Sequence, residues 1–76
     1  METFVVIRYD EKTKAVCLDG DILAKVRTIK KRSGSLRFKV EEYGKRSLPS
    51  KILAGEYMEF NNAVSDIIKF FTKTPV

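Results

Sequence analysis

Histidine and tryptophan are absent from this sequence, and cysteine occurs once, at Cys17. Without histidine the chain lacks the commonest general base near neutral pH and the commonest metal ligand. A single thiol excludes an intrachain disulfide and a thiol-rich metal site. Cys17 lies in an apolar run with no base to activate it, which reads as a buried structural thiol. Glycine is sparse: Gly20, Gly34, Gly44 and Gly55 are isolated, suit turns, and form no phosphate-cradling loop. The nearest carboxylate cluster, Asp19 and Asp21, flanks Gly20 and serves a turn more simply than a metal. The expectation is a non-enzyme, with no catalytic residue, no metal ligand and no cofactor.

Long apolar runs are also missing. None approaches the roughly 18 residues that a membrane span requires. Glu2 precedes the first apolar run and no cleavage-site pattern follows, so a signal peptide is not expected. These features predict a cytoplasmic protein with no membrane partner.

What remains is a chain of 76 residues, 43% hydrophobic and 33% charged, too apolar for a disordered tail and of a length for one domain over residues 1–76. A domain of this size buries only about 60% of the surface its unfolded chain exposes, which leaves little core to spare.

The charge is unevenly placed. The net charge is +5, yet no acid occurs between Asp21 and Glu41. Seven of the 15 bases fall in that window: Lys25, Arg27, Lys30, Lys31, Arg32, Arg37 and Lys39. The rest of the chain carries eight bases against ten acids and is slightly acidic. A basic segment on a near-neutral domain marks a polyanion site better than diffuse charge does.

Residues 3–9 are β-branched and aromatic and read as a strand. The polar stretch from Asp10 to Thr13 suits a tight turn, and Ala15 to Leu18 forms a second apolar run. With Glu11 and Lys12 at the turn, Val5 faces Leu18 and Ile7 faces Val16 in an antiparallel hairpin. Residues 22–31 fit two patterns. As a helix within 21–33, Ile22, Leu23, Val26 and Ile29 share a face, giving a ββαβ core. As a strand, Ile22, Ala24, Val26 and Thr28 line one face, opposite Lys25 and Arg27. The clear alternation of Leu36, Phe38 and Val40 with Arg37, Lys39 and Glu41 favours the strand. A loop of Arg32, Ser33 and Gly34, with Gly34 left-handed, pairs Lys31 with Ser35. Val26 then meets Val40, Thr28 meets Phe38, Lys25 meets Glu41 and Arg27 meets Lys39.

Residues 44–50 form a basic loop ending at Pro49. A helically spaced stripe follows: Leu53, Tyr57, Phe60, Val64, Ile67 and Phe71. Gly55 and the pair Asn61–Asn62 interrupt it. The preferred reading is an extended piece at 56–60, then a helix over 63–73 capped by Asn61 or Asn62. Lys69 and Lys73 suit its C-terminal end, and Pro75 stops it. One kinked helix from about residue 50 is the alternative. The terminal Thr74-Pro75-Val76 matches a loose pattern for peptides captured at sheet edges, but three residues carry little.

The expected fold is α+β: an antiparallel sheet of four or five strands curled into a partial barrel, with a C-terminal helix. Val5, Ile7, Val16, Val26, Phe38, Val40, Val64, Ile67, Ile68 and Phe71 form its expected core. This element order, with the run from Gly20 to Val26, is similar to small barrels of SH3-like or OB type. Size, charge and element order also resemble the small basic archaeal chromatin proteins, whose sheet lies on the DNA minor groove. Those proteins carry a tryptophan on the binding sheet, whereas this chain has none, so the likeness transfers no residue.

The expected function is nucleic-acid binding, DNA or RNA, through a basic hairpin. Its site comprises Lys25, Arg27, Lys30, Lys31, Arg32, Arg37 and Lys39, with Tyr43 as the best stacking residue. Phe38 belongs to the core, and Tyr9, at the end of its strand, stays open between core and surface. The rival reading is a small interaction module, a viral or bacterial regulator, whose basic face docks on an acidic protein partner. A monomer or weak homodimer suits either reading.

Overall fold

The computed structural model describes residues 3–73, and only the backbone of Lys73. Four strands run in chain order: β1 (Phe4–Arg8), β2 (Thr13–Leu18), β3 (Asp21–Lys30) and β4 (Leu36–Glu42). They form one antiparallel meander in the order β1-β2-β3-β4. A short helix, α1 (Ser50–Ala54), and a longer one, α2 (Phe60–Lys73), complete the chain. Between the helices Tyr57 bridges Phe38 on the free side of β4, with Phe38 N–H donating to Tyr57 O at 2.8 Å and Tyr57 N–H to Phe38 O at 2.9 Å. That bridge is a minimal fifth strand. The sheet is not closed, so the fold is an open partial barrel of the α+β class.

The second hairpin follows the expected register. Val26 pairs with Val40, Thr28 with Phe38, Arg27 with Lys39 and Lys25 with Glu41. Lys31 N–H donates to Ser35 O at 2.8 Å, and Gly34 sits at φ +91°, where glycine alone escapes a steric cost. The helix considered for residues 21–33 does not form, because β3 occupies that stretch. Alternation between two hydrogen-bonded neighbours buries Ala24 and Val26, which one exposed helix face would not need.

The β2–β3 turn is Asp19–Gly20, both at positive φ (49° and 90°), as a two-residue hairpin turn requires. Asp19 also accepts from Thr3 N–H at 3.4 Å. The register shifts by one between Val16 and Cys17, leaving Leu23 as an extra residue of β3. That bulge lets consecutive Leu23 and Ala24 both be buried.

The first hairpin is corrected by one residue. Val5 pairs with Cys17 and Ile7 with Ala15, rather than with Leu18 and Val16. The cause lies in the turn. Asp10 leaves the ladder, its Oδ1 accepting from Lys12 N–H at 2.9 Å, and Tyr9 N–H reaches Thr13 O at 2.9 Å. The loop therefore holds Asp10, Glu11 and Lys12, and every β1 side chain changes face. Phe4 packs on the core while Val5 and Ile7 remain 48% and 42% exposed, so neither is a core residue.

Val16, Ala24, Val26, Val40, Leu48, Ala63 and Ile67 form the buried centre. Around it pack Phe38, Val64, Ile68 and Phe71 from the expected core, and the rest of the stripe, Leu53, Tyr57 and Phe60. Phe38 meets Phe60 edge-on, with ring centroids 5.7 Å apart. Cys17 is buried, as expected of a structural thiol. Ala24, Ala63 and Leu48 were not anticipated. The alanines let helix and sheet approach closely, and Leu48 is drawn in by its N–H bond to Glu42 Oε2 at 2.8 Å.

The C-terminal helix begins at Phe60, three residues before the expected start, so Asn61 and Asn62 lie in its first turn and do not cap it. First-turn N–H groups lack intrahelical acceptors, so asparagine costs less there than further in. Asn62 N–H donates to Glu59 O at 3.2 Å. Residues 50–54 are helical, not loop or extended, but Gly55 takes an extended conformation (φ −69°, ψ 141°) and separates α1 from α2. The single long helix is thereby excluded. The helix-ending role of Pro75, the Lys73 side chain and the Thr74-Pro75-Val76 tail lie outside the described residues. No helix among the described residues is long and apolar enough to cross a membrane.

Ile67 is fully buried against β-strand residues, whereas Val5 is half in solvent. Ile67→Ala should cost about 2–5 kcal/mol in chemical denaturation, and Val5→Thr less than about 0.5 kcal/mol. Equal losses would refute the β1 register.

Tyr57 Oη donates to Asp66 Oδ2 at 2.6 Å, tying the fifth strand to α2. Burial, and then this bond to a carboxylate, push the Tyr57 hydroxyl up to about 12. The unfolded chain releases that proton near pH 10, so this contribution is intact below pH 10 and is lost as pH rises toward 12. Wild type should lose stability across that window faster than Tyr57→Phe, and tyrosinate absorbance should show one tyrosine ionising late. Parallel pH–stability curves for the two proteins would refute the coupling.

Candidate nucleic-acid interface

α2 covers one face of the sheet. Strand alternation sends Lys25 and Arg27 of β3, and Arg37, Lys39 and Glu41 of β4, to the other. Arg27 stands directly opposite Lys39, and both are exposed. Like charges across a strand pair repel. Glu41 relieves this in part, its Oε2 lying 3.5 Å from Arg27 Nε. More than half of the Arg27 side chain stays in solvent, so the pair holds the guanidinium weakly.

The other expected site residues are placed differently. Lys31, at the base of the loop, contacts Glu56 Oε1 at 2.6 Å. Arg32 is exposed at the tip. Lys30 pairs with Leu36 and falls in the row of the opposite, α2-side face, so it does not share the Arg27–Lys39 surface. Arg37 Nη1 donates to Leu36 O at 2.9 Å and stays on the outer face. The structure thus gathers Lys25, Arg27, Arg37, Lys39 and Tyr43 on one surface, adds Lys31 and Arg32 at its end, and sets Lys30 apart.

Glu56 reports the field of this surface. Its carboxyl is held below the ordinary value, first by the hydrogen bond from Lys31, then by the charge of Lys31, and further by Lys39 and Arg37. Lys31 is thus the base in contact with this acid, with Lys39 and Arg37 adding to the field around it.

The residue that sequence reasoning left open is Tyr9. It lies 46% exposed on the outer face, its ring 6.2 Å from that of Tyr43 at an interplanar angle of 78°. Lys25 Nζ sits 4.9 Å from the Tyr9 ring centroid and 6.0 Å from that of Tyr43. Its position at a strand end gave no facing, because the one-residue shift in the first turn decides it. Lys45 and Arg46 line a shallow hollow beside Tyr43 with Asp21 and Ile22, extending the basic surface around the β4 end. Their position in a basic loop after the strand was the available signal.

No protein-family model, curated protein or solved structure matches this chain.

Proposed function

We propose that this protein binds nucleic acid without catalysis, through the outer face of the β3–β4 hairpin, in the cytoplasm, as a monomer or weak homodimer. The observation that carries the reading is the hairpin register. It aligns Lys25, Arg27, Arg37 and Lys39 on one surface away from the helix-covered core, with Lys31 and Arg32 at its tip. Such a surface neutralises successive phosphates and releases their counterions, which gives affinity without base sequence. The arginines offer planar donor forks for phosphate oxygens. The exposed apolar residues Val5, Val6 and Ile7 of edge strand β1 favour the second reading, a protein partner with an acidic surface.

Affinity for nucleic acid should be on the order of 10⁻⁴–10⁻⁶ M at physiological salt. With about four phosphates contacted, log affinity for duplex against log salt should have a slope near roughly −3.6. Arg37→Ala and Lys39→Ala should each flatten the slope by about one unit, and glutamate at Lys12, outside the patch, should matter less. Glu41→Gln should tighten binding by freeing Arg27 from its ion pair. Fluorescence-anisotropy titrations over a salt series check all four. If no oligonucleotide binds the folded protein at low salt, the basic face belongs to a protein partner.

A further inference from the structure

The outer face carries aromatic rings as well as charge. β1 and β4 are separated by β2 and β3, and strands spaced about 4.8 Å apart would hold them roughly 14 Å apart in a flat sheet. Tyr9 follows β1 and Tyr43 follows β4, at diagonally opposite corners of the meander. Their rings nevertheless meet. The sheet therefore coils toward its outer face, as strongly twisted small sheets with a bulge do. Ala15, in the middle of that face, is fully buried.

The geometry points to a base-stacking seat formed by Tyr9 and Tyr43 around Lys25, which makes single-stranded nucleic acid the preferred ligand over duplex. This inference rests on the nucleic-acid reading and names the substrate class of that same surface. Bases in a duplex hide their faces against one another, whereas those of a single strand splay out and stack on aromatic side chains. Tyr9 keeps nearly half its surface in solvent, with Ile7 and Val5 exposed on the same strand face as further apolar contact. Lys25 now rests over the tyrosine rings, and an arriving base takes its place while the ammonium turns to the adjacent phosphate. Arg27, Lys39 and Arg37 continue the cationic track along the hairpin. Glu41, the carboxylate in this row, faces Arg27 rather than the rings. The seat recognises base faces and phosphates, on either sugar.

The test compares four ligands of about 12 nucleotides, within the usual footprint of such surfaces: thymidine and uridine homopolymers, an abasic strand of the same charge, and a duplex. Both homopolymers should bind at least roughly five-fold more tightly than the abasic strand. Tyr9→Leu keeps apolar bulk at this position but removes the ring. It should erase most of that gain while leaving the abasic strand, the duplex and their salt slopes unchanged. Tyr9→Phe should retain the gain, and circular dichroism with thermal melting confirms that each variant is folded. With no tryptophan in the chain, emission comes from Tyr9, Tyr43 and Tyr57, two of them in the seat, and thymidine homopolymer but not abasic strand should quench the seat's share of it. Equal binding of homopolymer and abasic strand overturns the stacking seat and leaves phosphate binding standing. A Tyr9→Leu variant that binds thymidine as tightly as wild type also overturns it. Absence of binding by all four ligands at low salt overturns both readings at once.

Discussion

Gly34 at φ +91° closes a three-residue loop, and the direction of every side chain in the second hairpin depends on that closure. The side-chain period of a strand is two, so a slip of one residue would put Arg27 and Lys39 under α2 and Val26 and Val40 in water. Burying either charge without a partner costs several kcal/mol, more than a domain of this size has in reserve. The loop thus decides where the core lies and where the charge lies in a single step. Its neighbours agree with it: Val26 and Val40 are both buried, and the bases of the odd-numbered row are free to face solvent. Local turn chemistry and global burial select the same register, which makes the choice firm.

The first hairpin shows what happens when the two signals do not agree. Phe4, Val5, Val6 and Ile7 are all apolar, so alternation offers no vote on which of them faces inward. Turn chemistry then decides alone, and the Asp10 side chain removes its own residue from the ladder by accepting from Lys12 N–H. A two-residue turn around Glu11 and Lys12 was equally consistent with the sequence. This is why the basic surface was legible from residue types, whereas Tyr9, four residues beyond Val5 on the same face, was not. Similarly, the stripe from Leu53 to Phe71 named the packing residues of the C-terminal third. It left open where helix gives way to strand, because the Phe38–Tyr57 bridge that interrupts it is a long-range backbone contact.

That bridge also explains how the C-terminal segment stabilises a small open sheet. Phe38 bonds Tyr57 through backbone atoms, packs on Phe60 through its ring, and sits opposite Thr28 in the hairpin. Tyr57 in turn holds Asp66 of α2, while Glu56 holds Lys31 beside the hairpin loop. Two consecutive residues, Glu56 and Tyr57, therefore connect the loop, the free side of β4 and the helix. The exposed ion pair adds little energy by itself. Its consequence is electrostatic: it places the acid that borders the patch beside the hairpin loop, and leaves Arg37 and Lys39 on the open surface.

The two faces of the sheet divide core from site unequally. The α2 face buries valines and alanines beneath a helix. Among the described residues no element covers the outer face, yet Ala15 and Cys17 are buried there, and the rings of Tyr9 and Tyr43 meet across it. In the proposed complex the same rings would be the recognition groups. Lys25, held over both rings, keeps its charge beside apolar surface at modest cost through the attraction between cation and ring. On the proposed reading a planar base would replace the ammonium with an apolar face of similar reach. A bare phosphate or an acidic side chain would leave uncovered the rings that Lys25 vacates. On that reading the coil of this small sheet would favour ligands that carry both a ring and a charge.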